Sequence, residues 1–200
     1  MAVKSSFRNM TLCLFVICLV CSALLAGVNE LTRGPIDAAA QAKVQKAVAE
    51  VVPEFDILSE KQAVEVDGTQ YGYYMVRNGE EIAGCAVESA TVGFGGTLKI
   101  MVGFSMDGII CGTSVLECNE TPGLGAKCRD AAFSDQFKEF NPSVRTLKVS
   151  KDGGDVDAIT ASTITSRAFT LAVANAVKAF EAITADAEVS PEIIGGDENE

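Results

Sequence analysis

The sequence predicts an α+β domain, an antiparallel sheet flanked by helices, preceded by one N-terminal transmembrane helix. Three observations point there: an uncharged apolar run of 19 residues near the start, four β-rich stretches joined by short turns in the middle, and helical periodicity on both sides of them. The β-rich stretch shows no strand–helix alternation, which disfavours a doubly wound parallel sheet.

The apolar run, MTLCLFVICLVCSALLAGV at residues 10–28, would span about 28 Å as a helix, close to the hydrocarbon thickness of a bilayer. Lys4 and Arg8 precede it, and Glu30 and Arg33 follow. The positive-inside rule then makes residues 1–9 a cytoplasmic N-terminus and 10–28 a single-pass anchor in the cell inner (cytoplasmic) membrane. Everything after it is expected on the periplasmic or extracytoplasmic side. A cleaved secretory signal is the alternative, because Ala23, Ala26 and Gly27 are small, but such apolar cores normally run about 7–15 residues.

About 170 residues remain, enough for one domain, expected over residues 35–187, and an acidic, disordered tail at 188–200. Beyond Lys4 and Arg8 there are 14 basic against 27 acidic side chains, a balance of −13. So acidic a surface repels phosphate backbones, and nucleic acid is not an expected partner. The chain has no histidine, which excludes Ser-His-Asp and Cys-His catalysis and His-ligated metal sites. Cys13, Cys18 and Cys21 lie in the anchor. Cys85, Cys111, Cys118 and Cys128 lie beyond it without CxxC spacing, so no metal site is expected. An oxidising compartment would permit disulfides among them, and a reducing one would leave thiols.

Pro35 suits the first position of a helix, and Ile36, Ala40, Val44, Ala47, Val48 and Val51 then recur on one face up to Pro53. Strands follow at Tyr71 to Arg77, Glu81 to Thr91, Thr97 to Phe104 and Ile109 to Leu116, with hairpin turns at Asn78-Gly79 and Asp107-Gly108. Gly93-Phe94-Gly95-Gly96 reads as a turn, since it leads into a strand and lacks the dinucleotide fingerprint. A short helical piece around Phe133 to Phe140 ends at Asn141-Pro142, and Lys151 to Asp155 form a charged loop. A last helix starts near Thr163, with Phe169, Val173, Ala176, Val177, Phe180 and Ile183 on one face.

Two stretches have compositions that suit a ligand. In Glu120-Thr121-Pro122-Gly123-Leu124-Gly125-Ala126-Lys127, proline and glycines fix a tight path and let the backbone approach a bound group, with Lys127 in reach of an anion. A plain strand-to-helix connection is the simpler alternative. In Asp157-Ala158-Ile159-Thr160-Ala161-Ser162-Thr163-Ile164-Thr165-Ser166, five hydroxyls fall within seven residues where the last helix begins. Free N–H groups and the helix dipole favour a phosphate there, although one N-cap hydroxyl would also explain part of the pattern.

The stretch GFGGTLKIMVGFSMDGIICGTSVLECNETPGLGAK, then FSDQFKEF, then DAITASTITSRA with its alanine-rich helix, resembles the FMN-binding G subunit of the Rnf electron-transport complex. It is also similar to the C subunit of the sodium-pumping NADH:quinone reductase, which shares the domain. The resemblance covers roughly Tyr71 to Phe180. It implies FMN taken from FAD by a flavin transferase and joined through its phosphate to a threonine hydroxyl. The family's target pattern places its aspartate at Asp157, its first hydroxyl at Thr160 and its acceptor at Thr163. Ala161 and Ser162 stand where the family usually has Gly-Ala, so Ser162 is a rival acceptor. Ile164 and Thr165 are counted among the cofactor-binding residues. Glu120, Thr121, Pro122, Gly123, Leu124 and Gly125 would lie near the flavin ring, with Pro122 and Leu124 as its platform. The role implied is an electron carrier within an ion-translocating ferredoxin:NAD oxidoreductase, with the other membrane subunits as partners, no metal and no turnover of its own. The same covalent FMN in the quinone reductase or another extracytoplasmic flavin pathway is the nearest alternative. A flavin-free anchored scaffold is the alternative of another class.

Overall fold

A computed structural model describes residues 7–52 and 54–189, with side chains to 185. The acidic tail from Ser190 onward lies outside the described residues. The chain divides into two compact units, residues 1–43 and 44–200.

Helix α1, Phe7–Val51, supplies the whole described part of the first unit. The stretch around the apolar run is long and apolar enough to cross a membrane, and its side chains are exposed. No helix begins at Pro35: α1 runs through it. An interior proline removes one i→i−4 hydrogen bond, and the continuing turns on both sides absorb that loss. Ile36 and Ala40, expected on a buried face, are exposed. Burial starts at Val44, so only the last two turns of the periodic stretch pack.

In the second unit, strands β1 (Ile57–Leu58), β2 (Gln62–Val66), β3 (Thr69–Asn78), β4 (Glu81–Val92), β5 (Thr97–Phe104) and β6 (Ile110–Cys118) form one antiparallel sheet. Its order is β1-β3-β4-β5-β6, with β2 pairing β3 beside β1. The turn chemistry explains the meander. Asp67 and Gly68, at φ 52° and 74°, make the two-residue turn between β2 and β3, both in the left-handed region as a type I′ turn requires. Between β3 and β4 the register Asn78↔Glu81 puts Gly79 and Glu80 at the turn centre, one residue beyond the expected Asn-Gly pair, with only Gly79 at positive φ. Register shifts at Val76/Arg77, Lys99/Ile100 and Gly103/Phe104 add twist, which curls the sheet.

Period-two alternation sends Leu98, Ile100, Val102 and Phe104 of β5 to one face. There they meet helix α3, Thr163–Val189, through Phe169, Ala172, Val173, Ala176 and Phe180. Phe180 stacks on Phe104 with ring centroids 4.7 Å apart. The connection from β6 to α3 coils through a 3-10 turn at Gly125–Arg129, helix α2 (Ala131–Ser134) and another 3-10 turn at Asp135–Phe137. It carries Phe133 and Phe137 against Phe169 at 5.2 and 5.1 Å. The opposite face carries Tyr74, Val76, Ala86 and Met101 and is covered by Ala47, Val48 and Val51 at the end of α1. Gly103 makes that contact possible, because a Cβ there would collide with the Val51 carbonyl.

Candidate functional site

The two stretches singled out by composition meet. They line a cleft of about 400 Å³, within the usual range for small-molecule sites. One wall comes from the loop after β6: Glu120, Thr121, Leu124 and Gly125. The other comes from the start of α3: Ala161, Ser162, Thr163, Ile164 and Thr165. Phe94, from the turn between β4 and β5, stands at the rim.

Glu120 is 8% exposed, and its Oε1 accepts the Phe94 backbone N–H at 2.8 Å. The carboxylate therefore ties the glycine-rich turn to the loop. Gly125 lies so close to Glu120 and the Thr165 hydroxyl that a Cβ would strike both, so a larger residue there would force the walls apart. Phe94, Leu124 and Ile164, which line the cleft, are 70%, 44% and 54% exposed. Apolar side chains left facing solvent around a concave surface suit a flat, apolar ligand.

The second wall is built by a tight turn. The Ser162 N–H donates to the Ile159 carbonyl at 3.0 Å, and Ala161 takes φ 62°, the pattern of a type II turn. Ser166 locks the turn onto α3: its Oγ accepts the Ile159 N–H at 2.9 Å and donates to the Ser162 carbonyl at 3.0 Å. The first-turn N–H groups of α3 have no partner within the helix, as at any helix start. Of the five hydroxyls, Ser162, Thr165 and Ser166 are buried, and Ser162 Oγ has no hydrogen-bond partner among the described residues. Thr160 is exposed but does not line the cleft. Thr163 alone of the five both lines the cleft and remains open to solvent.

Lys127 is exposed on the 3-10 turn and does not line the cleft, nor do Pro122, Gly123 and Asp157. Of the expected apolar platform, only Leu124 lines it. Asp157 instead anchors the segment, with Oδ1 accepting from Ser150 Oγ at 2.9 Å and its N–H donating to Gln136 Oε1 at 2.7 Å. The cation beside Thr163 is Lys151, whose Nζ donates to Thr163 Oγ1 at 3.4 Å. It is held there by its neighbour Asp152, which forms a two-point ion pair with Arg167, one turn along α3, with both contacts at 2.6 Å. Hydrogen bonds from Arg167 hold the Asp152 carboxyl below its usual range. Phe94, Lys151 and Ala161 are not singled out by composition. Phe94 has a local signal, a lone aromatic among glycines, whereas Lys151 reaches the site only through the fold.

A second cleft, of about 350 Å³, opens where the pairing of β3 with β4 stops at Tyr73↔Val87. Its centre is Glu88, whose Oε2 accepts from Lys61 and Lys99 Nζ at 2.7 Å each while Oε1 accepts from Tyr74 OH at 3.0 Å. Burial alone would raise the Glu88 carboxyl, but the two lysines outweigh it and hold the group below its ordinary value. Burial, and then Glu88 itself, push the Tyr74 phenol well up.

Among known proteins, a family model described as the FMN-binding domain matches residues 93–178, and one described as the RnfG N-terminal region matches residues 1–51. The chain is 32% identical over 175 residues to the G subunit of the ion-translocating oxidoreductase complex of Shewanella baltica, covering 80% of this chain and 82% of that protein. The chain belongs to the RnfG family. It is also 33% identical over 186 residues to the G subunit of the Na(+)-translocating ferredoxin:NAD(+) oxidoreductase complex of Acetobacterium woodii, covering 85% and 89%. The crystal structure of NqrC from Shewanella oneidensis superposes with a TM-score of 0.50 at 19% identity, over 65% of this chain and 70% of that one, a likeness of fold. The FMN-binding match spans both walls of the first cleft and its Phe94 rim, and stops short of Lys61 and Glu88 in the second.

Proposed function

We propose that this protein carries FMN covalently, through a phosphoester to Thr163, as an electron-transfer station of an Rnf-type ferredoxin:NAD oxidoreductase complex in the membrane. The observation that carries the proposal is the singular position of Thr163, the one hydroxyl of five that is both in the cleft and open to solvent. Ser162, the rival acceptor, has its Oγ sealed from solvent and cannot be presented to a transferase without opening the turn.

The residues fit the cofactor. A phosphate on Thr163 Oγ1 would meet the free N–H groups at the start of α3 and the Lys151 ammonium. The apolar rim of Phe94, Leu124 and Ile164 suits an isoalloxazine, and Gly125 lets the loop approach it. When bound, the flavin supplies the electron chemistry. The chain's residues fix its position and exclude water from part of it. Attachment balances as transfer of the FMN phosphoryl group from FAD to the threonine hydroxyl, with AMP leaving and the hydroxyl proton released, by a separate flavin transferase. Lys4 and Arg8 ahead of the anchor support a cytoplasmic N-terminus and an extracytoplasmic domain, where a tethered cofactor cannot diffuse away. Redox turnover belongs to the assembled complex and its other membrane subunits.

The test is flavin fluorescence in a denaturing gel. The full chain is exported together with an active flavin transferase, beside Thr163→Val and Ser162→Ala. The expected band is fluorescent in the parent and in Ser162→Ala and dark in Thr163→Val. A dark parent, with the transferase active on a control protein, refutes the covalent reading and leaves a flavin-free anchored module.

A further inference from the structure

The loop that forms one wall of the FMN cleft is bracketed by two cysteines. Cys118 is the last residue of β6, and Cys128 sits in the 3-10 turn ten residues later, with their Sγ atoms 3.7 Å apart. Cys85 and Cys111, by contrast, lie within strands, with Cys111 Sγ directed at the Ile109 carbonyl. No group of three or more Cys, Asp or Glu among the described residues could hold a metal ion, so the facing thiols have no metal to explain them.

We infer that Cys118 and Cys128 are a dithiol–disulfide site, and that in the mature protein a Cys118–Cys128 bond staples the Asn119-to-Lys127 loop against the end of β6. The sulfurs need to close from 3.7 Å to about 2.05 Å, a side-chain adjustment and not a backbone rearrangement. The inference rests on the extracytoplasmic placement proposed above, since that is where disulfides form and persist.

The chemistry assigns different roles to the two thiols. Cys128 is fully buried, and burial, then the neighbouring Cys118, push its thiol up to about 12. Cys118 is only half-buried, so it is the sulfur an incoming oxidant reaches. A thiol-oxidising protein disulfide of the CxxC class is the oxidant. The Cys118 thiolate attacks one of its sulfurs and expels the other as a thiolate. Cys128, giving up its proton, then attacks Cys118 Sγ and releases the oxidant's second thiolate. The pair loses two electrons and two protons, and the oxidant ends as a dithiol.

The loop has reason to be stapled. Its tip, Thr121 to Leu124, is exposed, and its inner anchors are Glu120 and the packing of Gly125. A bond across its root restricts the unfolded chain and fixes the Leu124 wall of the cleft.

The test uses the full chain in membranes, exported with the flavin transferase, with free thiols blocked by N-ethylmaleimide under denaturing, non-reducing conditions before trypsin digestion. Trypsin cuts after Lys99 and Lys127, so Cys111 and Cys118 share one peptide, which travels with the peptide containing Cys128 only if Cys128 is bonded to one of the two. The expected result is a joined species that separates with dithiothreitol, is absent from Cys118→Ser and from Cys128→Ser, and persists in Cys111→Ser. Its melting temperature should fall by several degrees with reductant in the parent and stay fixed in Cys118→Ser/Cys128→Ser. Maleimide on both cysteines, or a bond from either to Cys111, overturns the inference. Flavin fluorescence of the same band is read separately. A fluorescent band with two blocked thiols defeats the staple alone, and a joined pair in a dark band supports the staple and defeats the covalent flavin.

Discussion

The two clefts of the second unit are of similar size, and each holds one buried hydroxyl without a partner among the described residues, Ser89 Oγ in one and Ser162 Oγ in the other, yet the groups around those hydroxyls differ. Around Glu88, every carboxylate oxygen is occupied: two lysines share one and a tyrosine takes the other. At the start of α3, Thr163 is partly open and three large apolar side chains are turned to solvent. A polar cluster that satisfies itself holds the fold together. An open hydroxyl ringed by exposed apolar side chains suits a ligand.

The sharpest way to break this contrast is at its saturated side. Glu88→Gln leaves two lysines without a counter-charge. Breaking a fully buried pair costs about 3–5 kcal/mol, but the Lys61 and Lys99 side chains are 51% and 35% exposed and recover water. The expected loss is therefore about 2 kcal/mol, or roughly 4–8 °C in melting temperature, with flavin incorporation intact. A variant that keeps its stability but loses flavin would reverse the assignment of the two clefts.

The pH dependence sharpens the same point. The Glu88 carboxyl is lowered from its ordinary 4.5, so its contribution is complete above that value and fades as the pH falls through the lowered one. Thermal melts from about pH 6 downward past 4.5 should show the parent's advantage over Glu88→Gln shrinking as Glu88 is protonated. An advantage that persists at the acid end would mean the carboxylate's charge is not what stabilises the parent.

On the open side, Lys151→Met removes the one cation among the described residues that reaches the Thr163 hydroxyl. Flavin incorporation, followed by gel fluorescence over time, should slow by roughly fivefold, with the melting temperature unmoved. The smallest effect is expected at Ala161, which holds φ 62° where an L-residue pays about 1–2 kcal/mol. Ala161→Gly removes that strain and returns part of the gain as unfolded-chain entropy, leaving about 0.5 kcal/mol of added stability and a melting temperature about 1–2 °C higher.

How far the sequence can be read follows from how local each signal is. Four strands and the last helix are written in period-two and helical patterns. Asp107-Gly108 marks a three-residue turn whose Gly108 sits at φ 76°. The Asp67-Gly68 turn carries a signal of the same kind, yet β2 escapes the pattern, because only Val64 on that short strand is buried. Pro35 looks like a helix start because proline tolerates the first turn, but a start and an interior kink differ only in what precedes them, and residues 29–34 can continue a helix. The two walls of the cleft are legible as compositions, one glycine-bearing and one hydroxyl-rich. Which hydroxyl is open is not legible, since that depends on the turn at Ala161 and on Ser166 folding back. Lys127 looks like the anion's cation from its place beside the loop. The lysine that reaches Thr163 is Lys151, because the Asp152–Arg167 pair brings a distant loop onto α3.

The most direct test of the account is to map the flavin on the intact protein. Trypsin releases Asp152 to Arg167 as one peptide carrying all five hydroxyls, and fragmentation locates a modification among them. The account predicts FMN phosphoryl on that peptide, on Thr163. FMN on Thr160 or Ser162, or a wholly unmodified peptide from a preparation in which a control protein is flavinylated, would contradict it.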